Sequence, residues 1–269
     1  MVHRTWLIVI LALAAAPMQG LAAGAAQDSA QIEALIKRLE DSGALDAAVD
    51  RGIQRQIQRQ QEAQREQRQE QQRARTEAAK NARKVDSQRD RIFGNPQAEV
   101  SVIVYDDLEC PYCKRFAGTP EQAIAKFDGR ANVVFRHFPL DFHGETAKRG
   151  AYYAECVGRQ ADSRGFFIFA NTWLKLTNAN GKGLQGGDAQ IREIAQTAGA
   201  KDVAALDACA RDPAVVQLVR EDIADGMRSG ITGTPGVIVR NNKTGLSLSI
   251  VGAVPAETLV QGVQKALKN

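Results

Sequence analysis

Two cysteines separated by Pro-Tyr constrain the fold of this chain more than any other feature. Cys110 and Cys113 enclose Pro111 and Tyr112, and they follow an apolar, β-branched run over residues 100–105 that predicts a buried strand. The residues after Cys113 favour a helix, and Pro111 suits its first turn, where a backbone N–H has no partner. A thiol at a helix N-terminus is favoured as the thiolate, with a pKa that can fall to about 3.5–7.5. The pattern predicts a dithiol–disulfide redox site.

Half of a zinc site is the alternative interpretation, because two cysteines at this spacing also bind zinc. Zinc would require two further Cys or His ligands at similarly close spacing. Cys156 and Cys209 each stand alone in the sequence. His137 and His143 do not form a ligand pair at helical spacing. We therefore predict redox chemistry, with no metal ion and no cofactor.

The first 25 residues have the composition of a signal peptide. His3 and Arg4 give a basic start, an apolar run covers residues 6–16, and small residues suited to cleavage lie around residues 22–25. A membrane span needs about 20 apolar residues, so we predict cleavage of this run rather than its retention as an anchor. We expect an exported mature protein in the periplasm, where disulfides persist.

Residues 26–91 differ in composition from the rest of the chain and predict a helical arm. Between residues 54 and 77, 20 of the 24 residues are Gln, Arg or Glu, which favour a helix but leave it no apolar stripe to bury. The earlier part of the arm does carry apolar residues at helical spacing. These are Ile32, Leu35, Ile36, Leu39, Leu45, Val49, Ile53 and Ile57.

Two interpretations of this arm compete. In the first, the apolar segment pairs with copies of itself and gives a homodimer or homotrimer through residues 27–60. In the second, residues 51–91, with 12 Arg or Lys against 6 Asp or Glu, bind nucleic acid or an anionic membrane. The two signs of charge are interspersed there, and no aromatic side chain is available for base stacking. We therefore predict self-association and no nucleic-acid partner.

Residues 92–269 are predicted to form one α/β domain. A second strand over 132–138, a hairpin over 236–251 and an amphipathic helix over 255–268 follow the cysteine motif. The residues between the second strand and the hairpin, about 145–230, have a helical pattern and are too many for a simple crossover. They are predicted to form an inserted helical subdomain.

Four motifs, in this order and at this spacing, make the same region resemble the DsbA-type thioredoxin-fold disulfide oxidoreductases of the bacterial envelope. They are Asp-x-x-Cys-Pro-Tyr-Cys at 107–113, Arg136-His137-Phe138-Pro139-Leu140, Gly233-Thr234-Pro235 and Val251-Gly252-Ala253. The resemblance implies a thioredoxin fold with a helical insert, preceded here by the long helical arm. It also implies a cis Thr234–Pro235 bond against the active-site disulfide, where the backbone binds an extended client. A trans proline that opens a strand is the alternative.

The resemblance further implies thiol–disulfide exchange. Cys110 would form a mixed disulfide with a client cysteine and Cys113 would resolve it, while Pro111 and Tyr112 would tune the redox potential of the pair. The run Val100–Val104 lacks the buried carboxylate of the wider thioredoxin pattern. A proton relay to Cys113 would then need Asp106 or water.

A second pair of cysteines, Cys156 and Cys209, falls in two helices of the insert. Some relatives carry a structural disulfide between helices of this subdomain, and the resemblance implies one here. Two separate buried thiols, each acting as a small hydrophobic residue, are the alternative.

Cys-Pro-Tyr-Cys with Thr before the proline is similar to the isomerases and reductases of DsbG type, whereas the DsbA oxidases have Cys-Pro-His-Cys with Val. We therefore expect an oligomeric disulfide isomerase or reductase that acts on exported cysteine-containing clients and exchanges electrons with a membrane redox partner. A DsbA-like dithiol oxidase is the first alternative. An oligomeric envelope chaperone with incidental thiols is the second.

Overall fold

The computed structural model describes the backbone of residues 19–268 and the side chains of residues 28–268. The predicted signal peptide, residues 1–25, lies largely outside this range. Contacts divide the chain into two compact units, one ending at Gln67 and the other beginning at Arg68. No helix in the described range is both long and apolar enough to cross a membrane.

The first unit is helical. Helix α1 covers Gln19–Asp41, and α2 covers Ala44–Ala79, so that α2 continues into the second unit. Gly43 separates the two helices with φ +64°, a conformation in which glycine carries no steric penalty. The eight apolar residues named above are 40–58% exposed among the described residues 28–268.

The second unit begins at Arg68, whereas the sequence pattern placed the start of the α/β domain at residue 92. The long helix ends at Ala79. Ala79 and Ala82 are buried in one apolar cluster with residues of the sheet, including Ile238. Residues 91–94, at the predicted boundary between the arm and the α/β domain, form a strand. Small alanines among polar residues bury too little surface to give an apolar stripe, so the pattern concealed this junction.

A mixed five-stranded sheet forms the centre of the second unit, in the order β1-β3-β2-β4-β5. The central strands β2 and β3 are parallel, and the other pairs are antiparallel. The strands are β1 Arg91–Gly94, β2 Val100–Asp106, β3 Ala131–His137, β4 Gly236–Asn241 and β5 Ser247–Val251. The predicted strands over 100–105 and 132–138 and the predicted hairpin are therefore present.

Side chains alternate across the sheet and build an apolar layer on each face. Val237 and Val239 belong to the larger cluster, whereas Ile238 between them belongs to the smaller one. Helices occupy most of residues 144–228, as the predicted insert requires. The helices after β2 are α3 Pro111–Phe116, α4 Thr119–Ile124, α5 Gly144–Leu176, α6 Gly187–Thr197, α7 Leu206–Cys209, α8 Pro213–Arg228 and α9 Ala256–Lys268.

The insert is cross-linked by a disulfide. Cys156 in α5 is bonded to Cys209 at the end of α7. The structure therefore contains the pairing that the resemblance implied, rather than two separate thiols. The bond joins the long helix α5, which packs on the sheet, to the short helix that precedes α8.

Candidate active site

The cysteine motif lies at the turn between the end of β2 and the start of α3. Cys110 is the N-cap of α3, and Pro111 is the first helical residue. Pro111 is tolerated there because its missing N–H would have had no partner. Cys110 and Cys113 are free thiols in this structure, and both are buried. The strand–turn–helix geometry thus places one thiol at the helix N-terminus and the other one turn inside.

The loop before β4 lies against the first thiol. The Thr234–Pro235 peptide bond is cis. The Cys110 Sγ donates a hydrogen bond to the Thr234 carbonyl oxygen over 3.4 Å. The residues predicted to bind client and the predicted nucleophile therefore lie in contact, although 124 positions separate them in the sequence.

The environment of Cys110 favours its thiolate. The pKa of Cys110 falls from 9.0 to about 6, chiefly because the Cys113 thiol donates a hydrogen bond to it. Burial opposes this shift, whereas Thr234 and the backbone N–H groups of Tyr112 and Cys113 add to it. Cys110 is therefore mostly anionic at pH 7, as a nucleophilic or leaving sulfur must be.

A buried carboxylate accompanies the second thiol. Burial, the hydrogen bond to Cys110 and the nearby Asp106 carboxylate raise the pKa of Cys113 well above its usual value. Burial also raises the pKa of Asp106 to about 7. A hydrogen bond from Cys113 lowers this pKa, whereas the negative charge of Cys110 raises it. Asp106 can therefore accept the Cys113 proton near neutral pH. It supplies the carboxylate that the run Val100–Val104 lacks.

A second carboxylate, Asp107, fixes the shape of the loop. It accepts hydrogen bonds from the backbone N–H groups of Glu109 and Leu140, each over 2.8 Å. Its side chain lies 2.7 Å from Nδ1 of His143, which is buried. Asp107 thus ties the active-site loop to the segment after β3. His143 therefore helps to hold this loop in place.

The third carboxylate, Glu109, anchors a different loop. It is fully buried, and it accepts hydrogen bonds from Trp173 Nε1 and Thr177 Oγ1, each over 2.8 Å, and from the Gly183 N–H over 2.9 Å. Lys114 Nζ donates to the Thr177 carbonyl oxygen over 2.6 Å, so this cation is engaged by the same loop. The sequence alone did not identify these contacts, because their partners are more than 60 residues away.

An open groove of about 250 Å³ lies beside Thr234, the residue whose carbonyl oxygen contacts Cys110. Tyr112, the loop 230–236 and the end of β5, residues 249–252, line it. Tyr112 is 55% exposed, and Arg115 lies over its ring at 4.5 Å. Most of the lining is apolar or backbone. A lining of this kind provides both apolar surface and main-chain hydrogen-bonding groups.

The last turns of α2, within the second unit, support two sides of this groove. Gln72 Nε2 donates to the Ser249 carbonyl oxygen over 2.9 Å. Gly230 approaches Ala78 so closely that a Cβ at Gly230 would lie 2.9 Å from the Ala78 Cβ. The end of α2 is therefore part of the structure that holds the groove in shape. The sequence pattern did not indicate this role.

The described residues contain no group of three or more His, Cys, Asp or Glu side chains placed to hold a metal ion. Cys110 and Cys113 contact each other, Thr234 and Asp106, and this set suits dithiol chemistry rather than zinc coordination.

Comparisons with known proteins agree with this geometry. A family model described as Thioredoxin matches residues 86–251. The crystal structure of Pseudomonas aeruginosa DsbA2 is 30% identical, with a TM-score of 0.58, over 66% of this chain and 94% of that one. A Proteus mirabilis ScsC variant with a linker deletion is 17% identical, with a TM-score of 0.56, over 81% of this chain and 95% of that one.

Curated proteins give a shorter match. The Na(+)/H(+) antiporter NhaA 1 of Mycolicibacterium gilvum is 39% identical over 62 residues, or 23% of this chain. The present chain spans only 10% of the length of that protein. A match of this extent supports no shared transport activity.

Proposed function

Since the chain belongs to the thioredoxin family, as a DsbA-like member, we propose that it is a periplasmic thiol:disulfide interchange protein, acting as an oligomeric disulfide isomerase and reductase. One observation carries the proposal. Cys110, with a pKa of about 6, lies 3.4 Å from the Thr234 carbonyl oxygen beside an open groove. Such a site holds an extended client next to a thiolate and leaves Cys113 buried behind it.

The exchange begins when the Cys110 thiolate attacks one sulfur of a client disulfide. An S–S bond forms between Cys110 and the client, the client disulfide breaks, and its other sulfur leaves as a thiolate. In isomerisation this client thiolate attacks another disulfide of the same client. The last client thiolate then displaces Cys110, so that no net oxidation or reduction occurs.

Reduction proceeds from the same mixed disulfide. Asp106 accepts the Cys113 proton, and the Cys113 thiolate attacks Cys110 Sγ. The second client sulfur leaves as a thiolate, so the client gains two electrons and Cys110–Cys113 becomes a disulfide. A membrane redox partner that presents a dithiol would then return the pair to its reduced form.

The proposed oligomer rests on the apolar residues of α1 and α2. Eight large apolar side chains at helical spacing are 40–58% exposed in the described chain. Soluble helices seldom leave such a face uncovered, and a second or third copy of the same face would bury it. An isomerase benefits from this assembly because facing domains can hold a misfolded client between them. The exported, oxidising location rests on the apolar N-terminal sequence and on the Cys156–Cys209 disulfide.

A DsbA-like dithiol oxidase is the second candidate, and the low pKa of Cys110 favours it. Lowering this pKa from 9.0 to about 6 stabilises the reduced form. At pH 7 the effect amounts to about 1.4 kcal/mol, or about 30 mV toward a more oxidising pair. That shift is modest, so it does not displace the isomerase proposal.

The test uses the full chain and two matched double variants. Ile53→Asp with Ile57→Asp places charge on the apolar face of α2. Gln54→Asp with Gln58→Asp makes the same number of substitutions on exposed polar residues of the same helix. Light scattering gives the mass, and refolding of a scrambled multi-disulfide substrate gives the isomerase activity.

We expect the wild type and the Gln variant to be dimeric or trimeric and to unscramble the substrate. The Ile variant should be monomeric and lose isomerase activity while still reducing a small disulfide. A monomeric wild type that oxidises reduced substrate but cannot unscramble it would instead establish the oxidase. Full client protection by Cys110→Ala would establish the chaperone.

A further inference from the structure

A polar pocket of about 330 Å³ lies at the end of the sheet opposite to the cysteines. Its lining includes Lys84, Ser87, Glu99, Arg240, Asn242 and Lys243. Here β2 begins at Val100, which pairs with Asn241 at the end of β4. Cys110 follows the other end of β2, about 23 Å away along a seven-residue strand. The pocket is therefore separate from the active site.

Arg240 is the buried cation of this pocket. It is 8% exposed, and its guanidinium hydrogen bonds are limited to two long ones from Nη1, to the Ala82 carbonyl oxygen over 3.4 Å and to Ser247 Oγ over 3.3 Å. No carboxylate among the described residues forms an ion pair with it. A guanidinium has five N–H donors, and Nε and Nη2 of Arg240 have no acceptor among the described residues. Neither atom is among the fully buried donors without a partner, so both keep some contact with solvent. Burial and the nearby positive charge of Arg136 lower the pKa of Arg240, and the charges of Tyr105 and Asp225 offset this only in part.

The neighbouring arginines of the same face differ from Arg240 in this respect. Each has a carboxylate within hydrogen-bond distance: Arg83 with Asp90 at 2.9 Å, Arg89 with Asp222 at 2.8 Å, and Arg136 with Asp225 at 2.7 Å. At the exposed margin Glu221 pairs with Arg89 and Arg228 pairs with Asp225, so these two margin residues together add no net charge. Arg240 therefore leaves the cluster with one positive charge in excess.

We propose that this pocket binds a small oxyanion of phosphate or sulfate chemistry, held by Arg240 with Lys84 and Lys243 at the rim. A largely buried cation without a carboxylate partner has lost part of its hydration, which an anion in the pocket would replace. A planar guanidinium also matches the geometry of a tetrahedral oxyanion. Glu99 on the rim is engaged by Arg130 at 2.7 Å and by Lys243 at 3.8 Å, so its charge is already balanced.

Binding would fasten together two segments that meet at this pocket. Lys84 belongs to the segment between α2 and β1, and Lys243 belongs to the turn between β4 and β5. An anion held by both would link the chain entering the sheet to the hairpin that follows Pro235. The expected consequence is higher thermal stability, with no change in the reactivity of Cys110 at the far end of β2.

The test measures binding of inorganic phosphate to the full chain by titration calorimetry. It also measures thermal unfolding in sodium phosphate against sodium chloride of equal ionic strength. Arg240→Gln removes the buried cation, and Arg220→Gln removes an exposed one from α8 as the matched control. Lys84→Gln with Lys243→Gln removes the rim cations and leaves the buried cluster intact, which keeps the test valid if Arg240→Gln folds poorly.

We expect saturable phosphate binding at one site in the wild type and in Arg220→Gln. Binding should be lost in Arg240→Gln and weakened about fivefold or more in the lysine variant. Phosphate should raise the unfolding temperature of the first two proteins more than it raises that of Arg240→Gln. Equal stabilisation of all the proteins would be the general effect of an excluded salt and would overturn the proposal. So would the absence of saturable binding.

A lipid headgroup and a free anion share this chemistry, and a second arm separates them. Vesicles of phosphatidylglycerol and of phosphatidylcholine are sedimented with each protein. Binding to phosphatidylglycerol alone, lost in Arg240→Gln and competed by phosphate, would identify a lipid phosphate as the ligand. Calorimetric binding of phosphate without vesicle binding would identify a free anion.

Discussion

Removing the Cys113 thiol should raise the pKa of Cys110, because the hydrogen bond from Cys113 is the largest cause of its low value. The full shift, from 9.0 to about 6, corresponds to about 4 kcal/mol in favour of the thiolate. One hydrogen bond to a charged group contributes about 1.5–3 kcal/mol of this. Cys113→Ala should therefore raise the pKa of Cys110 by about one to two pH units. Cys113→Ser retains an O–H donor and should leave it close to the wild-type value.

The assay is the rate of Cys110 alkylation by iodoacetamide as a function of pH, with thiolate absorbance at 240 nm as a second readout. The pKa of Cys113 is raised well above its usual value, so Cys113 stays protonated and does not react on the same timescale in the wild type. Identical titration midpoints for Cys113→Ala and Cys113→Ser would refute the reasoning. The backbone N–H groups of the helix N-terminus would then be sufficient to stabilise the thiolate.

The same pair of variants carries a prediction for stability against pH. A folded-state pKa of about 6 lies below the unfolded value of 9.0, so between these values the unfolded chain holds a proton that the native state lacks. The free energy of unfolding contributed by Cys110 therefore rises with pH through this window and is lost as pH falls through about 6. Cys113→Ser should show this rise more strongly than Cys113→Ala, as chemical denaturation of the reduced proteins would measure.

Three further variants, one of them a double substitution, test other parts of the structure. Asp106→Asn should slow resolution of the mixed disulfide about 10- to 100-fold at pH 7 and remove an inflection near pH 7 from the rate profile. Gln72→Ala should raise the KM for a peptide client about threefold without changing kcat, whereas Gln71→Ala should change neither. Replacing Cys156 and Cys209 together with Ala should lower the free energy of unfolding by about 4 kcal/mol, measured by chemical denaturation.

Each of these predictions has an outcome that contradicts it. An unchanged pH profile in Asp106→Asn would leave water as the proton acceptor. The prediction fails if Gln72→Ala and Gln71→Ala change the KM equally. It also fails if Gln72→Ala alone loses stability to the same degree, because the Gln72–Ser249 hydrogen bond would then have only a structural role. A disulfide-free variant as stable as the wild type would show that the cross-link does not constrain the unfolded chain.

The parts of this fold that sequence reasoning predicted are those that depend on local patterns. The strand before Cys110, the helix after it and the hairpin after Pro235 follow from apolar alternation and turn residues. The contact between Cys110 and Thr234 depends on long-range pairing of β2 with β4, and only a motif-level resemblance could place it. The sequence left Asp106 and water as alternative proton acceptors, because the burial of Asp106 depends on tertiary packing.

The parts that were not predicted involve polar residues that become buried. Arg136 has no exposed surface and bonds to Asp90 and Asp225, yet a sequence reading places such charges in solvent. Strand β1 has only four residues, too few to show alternation. The packing of the end of α2 on the sheet left no signal in the sequence, since its buried residues, Ala79 and Ala82, are small and do not form an apolar stripe.

The most direct test of the account is to identify the cysteine that captures a client. Cys113→Ala is mixed with a peptide that carries a single disulfide, and the products are digested and examined by mass spectrometry without reduction. The account predicts a stable mixed disulfide on Cys110, formed faster as pH rises through the pKa of Cys110, with Cys156 and Cys209 still bonded to each other. An adduct on Cys156 or Cys209, or no adduct while wild-type exchange activity is normal, would contradict it.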